Sequence, residues 1–401
     1  MDKMVGKLDE GRRGEESGSG GVIKGESRPY QICSRCVMDT SDPQIVFDEN
    51  GVCDFCRGFD DSIAPNWHTD ERGMRELRDI AAKIKASARG DYDCLLGFSG
   101  GADSSYVAYI AKEILGLNPL LVEVDTGWNL SVADENSRAV KESLGLDSVR
   151  LGIDWDEMRR LQIAFFKAGV PYQDLPQDQA IFAALYNYAA REGYAYILTG
   201  ANFATECVKP PEEWTYYADV VFMKDVFARF GEGSLKKYPF LDMFKKRVVY
   251  GYLKGIKRVA PLNYLPYDKE KVEQLLADKC GWKCYEQKHY ENRFTRFYEG
   301  WYLPQRFGYD KRHCYESSLI LAGQRSRQEA LERIAQAPYD AALMIEDKRY
   351  ICKKLEVSEE EFDSWMNGEK RTWRDFKNSH SAISLFVKIA VMLGVEKRKL
   401  R

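Results

Sequence analysis

Histidine is nearly missing from this chain. Of 401 residues only His68, His289, His313 and His380 carry an imidazole, so any histidine-dependent chemistry must draw on these four. Long apolar runs are missing as well. No uncharged stretch reaches the roughly 18 residues of a membrane-spanning helix, and the longest candidate, Ala382 to Val395, is shorter and contains Lys388. Neither sign of charge is in excess: 59 basic and 62 acidic residues leave −3, and no global basic field asks for nucleic acid as a partner. The start of the chain lacks the apolar core of a secretory signal, so a cytoplasmic location is expected. The ten cysteines then read as reduced thiols or metal ligands rather than disulfides. What remains, 44% hydrophobic and 30% charged, excludes a wholly disordered chain.

Residues 1–28 are polar and Gly-rich and read as a disordered tail. From about residue 67 onward, short apolar runs alternate with helical periodicity. Strands are expected at Cys94–Phe98, Leu120–Val124, Ser148–Ile153 and Tyr194–Thr199. Helices are expected over Gly73–Ala88, from Val107 to a stop at Gly116, and over Ser131–Leu144, Trp155–Lys167 and Asp178–Arg191. Alternating β and α units predict an α/β fold with a parallel, doubly wound sheet, whose ligands bind at the carboxyl ends of the strands. The order of parts is a tail (1–28), a four-cysteine zinc module (29–66), a nucleotide-binding domain (67–265) and a helical substrate- or partner-binding region (266–401).

Between the first strand and its helix stands Ser99-Gly100-Gly101-Ala102-Asp103-Ser104-Ser105. Two glycines let backbone approach a ligand, and the helix that follows aims free N–H groups and a positive dipole end at it. With Ser99 and Ser104 adding hydroxyls, this is a phosphate cradle. Asp103 beside it makes sense where Mg²⁺ bridges phosphates. No Lys-Ser or Lys-Thr closes the run, so it is not a Walker loop. Gly97-Phe98-Ser99-Gly100-Gly101 also fits G-x-S-x-G, the nucleophile elbow of hydrolases, with Ser99 as nucleophile. A purely structural glycine turn is the third reading.

Cys33-x2-Cys36 and Cys53-x2-Cys56, sixteen residues apart, fit the spacing of a four-thiolate zinc site, which leaves no open position and is structural. An iron site or redox dithiols are the alternatives. Cys280, Cys284 and Cys314 could form a looser second cluster with His289 or His313.

Further on, Lys288 to Tyr298 is dense in arginines and aromatic rings. Guanidiniums suit diphosphate or carboxylate groups, and aromatic faces suit sugars or bases. The competing reading is a helix with a buried aromatic stripe, since Phe294, Phe297 and Trp301 fall at helical spacing. Lys236, Lys237, Lys245, Lys246, Arg247, Lys254, Lys257 and Arg258 read as a solvated face, with RNA contact as the rival. Near the end, Ile383, Phe386, Val387, Ala390 and Val391 form a stripe expected to dock. Leu385, Ile389, Met392 and Leu393 widen it toward a possible homo-oligomer contact.

The S-G-G-x-D-S pattern resembles the PP-loop of the ATP pyrophosphatase superfamily. Joined with Cys33-Ser-Arg-Cys36-Val-Met-Asp-Thr-Ser-Asp-Pro43, Asn50-Gly-Val-Cys53-Asp-Phe-Cys56 and Lys288-His-Tyr-Glu-Asn-Arg-Phe-Thr-Arg-Phe297, it resembles the N-acetyl sugar amidotransferases of surface-polysaccharide and nonulosonic acid biosynthesis. The resemblance spans about residues 30 to 380. It implies a PP-loop fold and ATP with Mg²⁺ at Ser99, Gly100, Gly101, Asp103 and Ser104, the last two acting in the chemistry. Val124 and Asp125 after the second strand, and Thr199, Gly200 and Asn202 after the fourth, complete the nucleotide site. Substrate residues are expected at Glu206, His289, Glu291, Arg293 and Arg296, with zinc on the four cysteines.

The implied reaction adenylylates an acetamido or carboxylate oxygen of a sugar or nucleotide-sugar. Ammonia from a separate glutaminase then gives an amidine or an amide. The sequence agrees with a separate glutaminase: residue 2 is Asp, and no G-x-C-x-G elbow is present. A tRNA-thiolating PP-loop enzyme, with Cys207 and Cys314 as catalytic thiols, is the rival. A non-enzymatic zinc scaffold is a third reading that the intact loop disfavours.

Overall fold

Leu95 and Leu96 are neighbours in the chain and end in different cores, because successive side chains of a strand face opposite ways. They belong to β1 (Cys94–Gly97), the centre of the sheet in this computed structural model, which describes residues 28–128, 131–284 and 292–392. The other strands are β2 (Pro119–Asp125), β3 (Ser148–Gly152), β4 (Tyr196–Leu198) and β5 (Lys257–Val259). All pair in parallel in the order β3-β2-β1-β4-β5, with Leu96 beside both Leu121 and Leu198. The tail expected over residues 1–28 lies outside the described residues but for its last.

The helices of this half are α1 (Glu71–Ser87), α2 (Ala102–Tyr109), α3 (Ser131–Leu144), α4 (Trp155–Ala168), α5 (Leu175–Glu192), α6 (Phe203–Glu206), α7 (Val220–Phe230) and α8 (Lys269–Cys280). Asp70 starts α1 by accepting the N–H groups of Arg72 and Gly73, and its apolar stripe of Leu77, Ala81 and Ile84 packs under Cys94, Leu96 and Leu198. On the opposite face Ala183, Leu185 and Ala189 of α5 cover Leu95, Leu120 and Ile197. The sheet is doubly wound, as the alternation predicted.

One boundary needs correction. Residues 266–280 do not open the helical C-terminal region: Val272, Leu276 and Cys280 of α8, with Trp282 behind them, pack in the sheet's core beside α2 and α3. Lys257 and Arg258 are solvated as read, and they also form the edge strand β5, where exposed cations discourage pairing with another chain. Three residues with one apolar side chain carry no strand periodicity, so β5 was invisible to pattern.

The C-terminal region begins with α9 (Arg293–Phe297), prolonged by a π turn, Tyr298–Tyr302, and continues through α10 (Arg312–Leu321), α11 (Arg327–Ala335), α12 (Ala341–Leu355) and α13 (His380–Met392). Phe294, Phe297 and Tyr302 join Trp128, Phe166 and Phe362 in one aromatic core, so the buried-stripe reading holds for these rings. In α13, by contrast, Phe386 is 55% exposed, with Leu385 and Met392 exposed beside it, while the side chains of Val387, Ala390 and Val391 lie outside the described residues. Leu393 lies outside the described residues. Among the described residues no helix is long and apolar enough to cross a membrane.

Beneath α9, the carboxylate of Asp347 on α12 is wholly buried. It accepts two bonds from Arg296 (2.6 and 2.7 Å) and one from the Tyr339 hydroxyl. Removing one partner of a buried pair strands the other charge, at about 3–5 kcal/mol. Asp347→Ala is therefore expected to lower the denaturant midpoint strongly, and a variant as stable as the parent would show that the pair is dispensable.

Candidate active site

The strand order reverses between β1 and β4, and open α/β sheets bind their ligands at such a point, outside the carboxyl ends of the strands. The Ser99–Ser105 loop fills one side. Gly100 has φ +77°, and a Cβ on it would lie 2.5 Å from the Ala133 carbonyl of α3, so only glycine fits. The Trp282 indole donates to the Gly100 carbonyl (2.9 Å) and fixes that peptide. Ser99 Oγ accepts the Gly101 N–H and Ser104 Oγ accepts the Ser99 N–H, both at 3.3 Å, which folds the loop back on itself. Gly101 caps α2 without a side chain, so no side chain occupies the helix's first N–H groups.

From the other side comes the segment after β4. A Cβ on Gly200 would meet Asp103 Cβ at 2.9 Å and the Ser104 nitrogen at 3.1 Å, so glycine here is what lets the two loops close together. The Thr199 hydroxyl is buried with no partner among the described residues, as is that of Ser137 on α3. Such orphans suit a polar ligand. Asn202 turns away: it caps α6 through the Thr205 N–H (2.9 Å). Asp103 accepts the Tyr267 hydroxyl at Oδ1. Its Oδ2 has no partner among the described residues and is the oxygen that could hold a hard cation.

At the end of β2, Val124 is partly buried and Asp125 is already engaged. Asp125 binds Arg150 (2.9 Å) and accepts the Gly127 N–H (2.8 Å). Ser99 receives no hydrogen bond from a histidine among the described residues, and the His313 ring donates to the Val37 carbonyl instead (2.6 Å). The nucleophile elbow therefore lacks its base.

Of the expected substrate residues that the structure describes, the two arginines are already paired with carboxylates. Arg296 is committed to Asp347. Arg293 pairs with Glu346 (2.8 Å) and lies over the Tyr350 ring. Glu206 ends α6, exposed, and His289 and Glu291 lie outside the described residues. Sequence reasoning instead missed a polar chain running from the end of β2 into the C-terminal region. Thr126 donates to Gln177 (3.0 Å), and Asn292 donates to the same oxygen (3.0 Å). Gln177 and Thr295 both donate to Asp174 Oδ1 (3.2 and 3.1 Å), and Lys311 pairs with Glu299 (2.8 Å) beside them. The signal present in the sequence was Asp174-Leu-Pro-Gln-Asp178, an acidic helix start with Pro at its second position.

Away from these loops, Cys33, Cys36, Cys53 and Cys56 converge with their sulfurs within 4.8 Å of one another and no solvent exposure. Three backbone N–H groups, of Arg35, Cys36 and Cys53, point at the Cys33 sulfur (3.4, 3.4 and 3.2 Å). Contact with its neighbours pulls the Cys33 thiol down and pushes Cys56 up, since four thiols this close cannot all ionise without a cation between them. The cluster can bind a metal ion. It is the one such group among the described residues: Cys280 lies in the sheet's core, Cys284 bonds Glu273, and Cys314 packs beside the four-cysteine cluster, so the looser second cluster does not form.

The module is not a free-standing unit. Arg327 of α11 donates to the carbonyls of Cys33 (2.8 and 3.1 Å) and Cys36 (3.0 Å). Ser317 of α10 accepts the Val37 N–H (3.2 Å), and Ser318 accepts that of Val208, just beyond α6 (3.0 Å).

These C-terminal helices are recognisable beyond this chain. Residues 291–390 match the family described as LPS biosynthesis protein WbpG-like, C-terminal domain. The match covers the C-terminal quarter of the chain, which is similar to that WbpG-like domain. That segment carries α9 to α13, and thus both the Asp347 pair and the arms that grip the cysteine module. Over other stretches the chain is similar to an uncharacterised protein of Methanocaldococcus jannaschii, 28% identical over 42% of this chain and 58% of that one. It is also similar to the glutamine-hydrolysing GMP synthase of Histophilus somni, 30% identical over 33% of this chain and 25% of that enzyme. The chain thus spans little more than half of one relative and a quarter of the other. A solved U34-tRNA thiolase, NcsA from Methanococcus maripaludis with its [4Fe-4S] cluster, aligns at 16% identity and TM-score 0.32 over 70% of this chain and 80% of that one, too loosely to bear on activity. The open parallel sheet with a glycine loop at the end of β1 is thus set in one chain with a segment that matches the WbpG-like family.

Proposed function

We propose that the chain is an ATP-dependent amidotransferase acting on an N-acetylated sugar or nucleotide-sugar in surface-polysaccharide synthesis. The observation that carries this reading is the uncapped start of α2 behind Gly100 and Gly101, closed over by Gly200 and set in one chain with a WbpG-like domain. The loop would receive the phosphates of ATP, and Asp103 Oδ2 the Mg²⁺ that accompanies them, which supplies charge neutralisation. An acetamido or carboxylate oxygen of the sugar attacks the α-phosphorus, and the bond to pyrophosphate breaks. Ammonia then adds to the activated carbon. AMP leaves with the former sugar oxygen, a proton is lost, and an amidine or amide remains.

The rival thiolation chemistry needs a reactive cysteine. Burial pushes Cys207 up to about 11 and Cys314 further, Lys311 beside Cys314 not offsetting its burial, so neither is held as a thiolate at neutral pH. For the metal, zinc is the reading. Sulfur separations of 3.6, 3.7 and 3.8 Å approach the edge of about 3.8 Å of a tetrahedron with zinc–sulfur bonds of about 2.3 Å. An iron–sulfur cluster places more atoms between its thiolates and needs wider spacing.

The test is sugar-dependent formation of AMP and pyrophosphate from MgATP. Turnover with ammonium salt should climb with pH, about tenfold per unit while ammonium dominates, because the neutral amine is the nucleophile. Glutamine should serve poorly until a glutaminase is added. Efficient use of glutamine by the isolated chain, or sulfur transfer into tRNA, would overturn the reading.

A further inference from the structure

Asp174 occupies the N-cap of α5 and does not cap it. Aspartate at that position ordinarily accepts an N–H of its own helix. Here Oδ1 is taken by Thr295 and Gln177, and Oδ2 has no partner among the described residues although the residue is only half-buried. The unspent oxygen is therefore reachable from outside. Around it stand Asp178, exposed at the rim, and the Lys311–Glu299 pair supplied by the WbpG-like domain.

The charges are close enough to act on one another. Burial, reinforced by Asp178 and Glu299, drives the Asp174 carboxyl well above the usual range. Burial would lower Lys311, yet Glu299 and Asp174 hold it above its ordinary value. A buried ionic group is poor evidence of stabilisation, because removing charge from water costs several kcal/mol per ion. Its retention at a solvent-reachable place calls for another reason.

The location supplies one. The group is tied through Gln177 to Thr126, the residue directly after β2, and so lies on the carboxyl side of the sheet, where open α/β sheets bind their ligands. Its donors and acceptors alternate: carboxylates, an amide, a hydroxyl and an ammonium. That is the pattern that matches the hydroxyls of a sugar ring, each both donor and acceptor. Three carboxyls around one ammonium disfavour a diphosphate or a free carboxylate. The arginines that would suit those groups are held by Glu346 and Asp347.

We propose that Asp174, Asp178, Thr295, Glu299 and Lys311 form the acceptor-sugar subsite, which takes the hydroxylated face of an uncharged N-acetylated sugar ring. The inference rests on the amidotransferase reading and assigns its sugar to residues from both halves of the chain. The subsite lies, like the glycine loop, on the carboxyl side of the sheet, so ATP would be held by the loop and the acceptor at the junction with the WbpG-like segment.

The experiment uses the full chain and calorimetric titration with UDP-N-acetylglucosamine, its uronic acid form and free N-acetylglucosamine, each with and without a non-hydrolysable ATP analogue. Asp178→Asn and Thr295→Val should each weaken binding of at least one acetamido sugar about tenfold or more. Affinity for the ATP analogue should stay within about twofold, and Arg293→Ala should bind sugar as the parent does. Near-UV circular dichroism identical to the parent's separates loss of contacts from loss of fold. The proposal is overturned if the parent binds none of the three, if both variants bind as tightly as the parent, or if Arg293→Ala is the one that loses the sugar. Binding that depends on these residues with no AMP formed in the reaction assay would instead sustain the subsite and sink the amidotransferase reading.

Discussion

Asp103→Asn should reduce sugar-dependent AMP formation roughly a thousandfold, about 4 kcal/mol of transition-state stabilisation, while leaving the melting temperature close to that of the parent. The asymmetry follows from the two oxygens. Oδ1 accepts the Tyr267 hydroxyl, and the asparagine carbonyl can keep that bond. Oδ2 becomes an amide that can donate but cannot neutralise a hard divalent ion beside phosphates. Fold and function are thereby separated at one residue. The measurement is release of pyrophosphate at saturating ammonium, with a thermal melt as the control. Turnover at the parent's rate would remove the PP-loop chemistry from this chain.

Removal of the metal should act the other way round, on stability first. About one zinc per chain is expected by elemental analysis, released when Cys33 is replaced by serine. That substitution should cost more than about 4 kcal/mol, which for a chain of this size lowers Tm by roughly 5 °C. Four protein thiolates leave no open position for substrate, so the surviving folded fraction should retain its affinity for ATP. Iron in place of zinc, or a well-folded sample with no metal, would contradict the assignment. A large loss of ATP affinity at unchanged Tm would mean that the cluster takes part in the chemistry.

Much of this was legible because the relevant signals are local. β1, β2 and β4 show as apolar runs and β3 as an alternation of apolar and polar residues, and the glycine loop and the paired cysteines keep fixed spacings. Illegible were features that depend on partners far away in sequence. Arg296 looks the same in a sequence whether it meets a diphosphate or Asp347, 51 residues on. Trp282 reads as an aromatic residue near a basic segment until its indole is found on Gly100, 182 residues back. α8 carried an ordinary helical pattern, and only packing shows that it covers the sheet rather than beginning the next domain. The polar chain at Asp174 draws on α5, on α9 and its π turn, and on the residue before α10, each polar residue unremarkable in its own stretch.

The grip of Arg327 on Cys33 and Cys36 has a consequence for how the chain is made. Those bonds join residues 294 and 291 positions apart, and the Ser317–Val37 bond spans 280. At a synthesis rate of about 5–20 residues per second, the cysteines leave the ribosome roughly 15 seconds or more before the arginine that will hold them. Contacts of such separation close late and slowly. In that interval the short module has neither α10 nor α11 to bury it, and ion capture by the four thiols is what can keep it folded. A metal bound there would serve as a scaffold set in place early, against which α10 and α11 are later built.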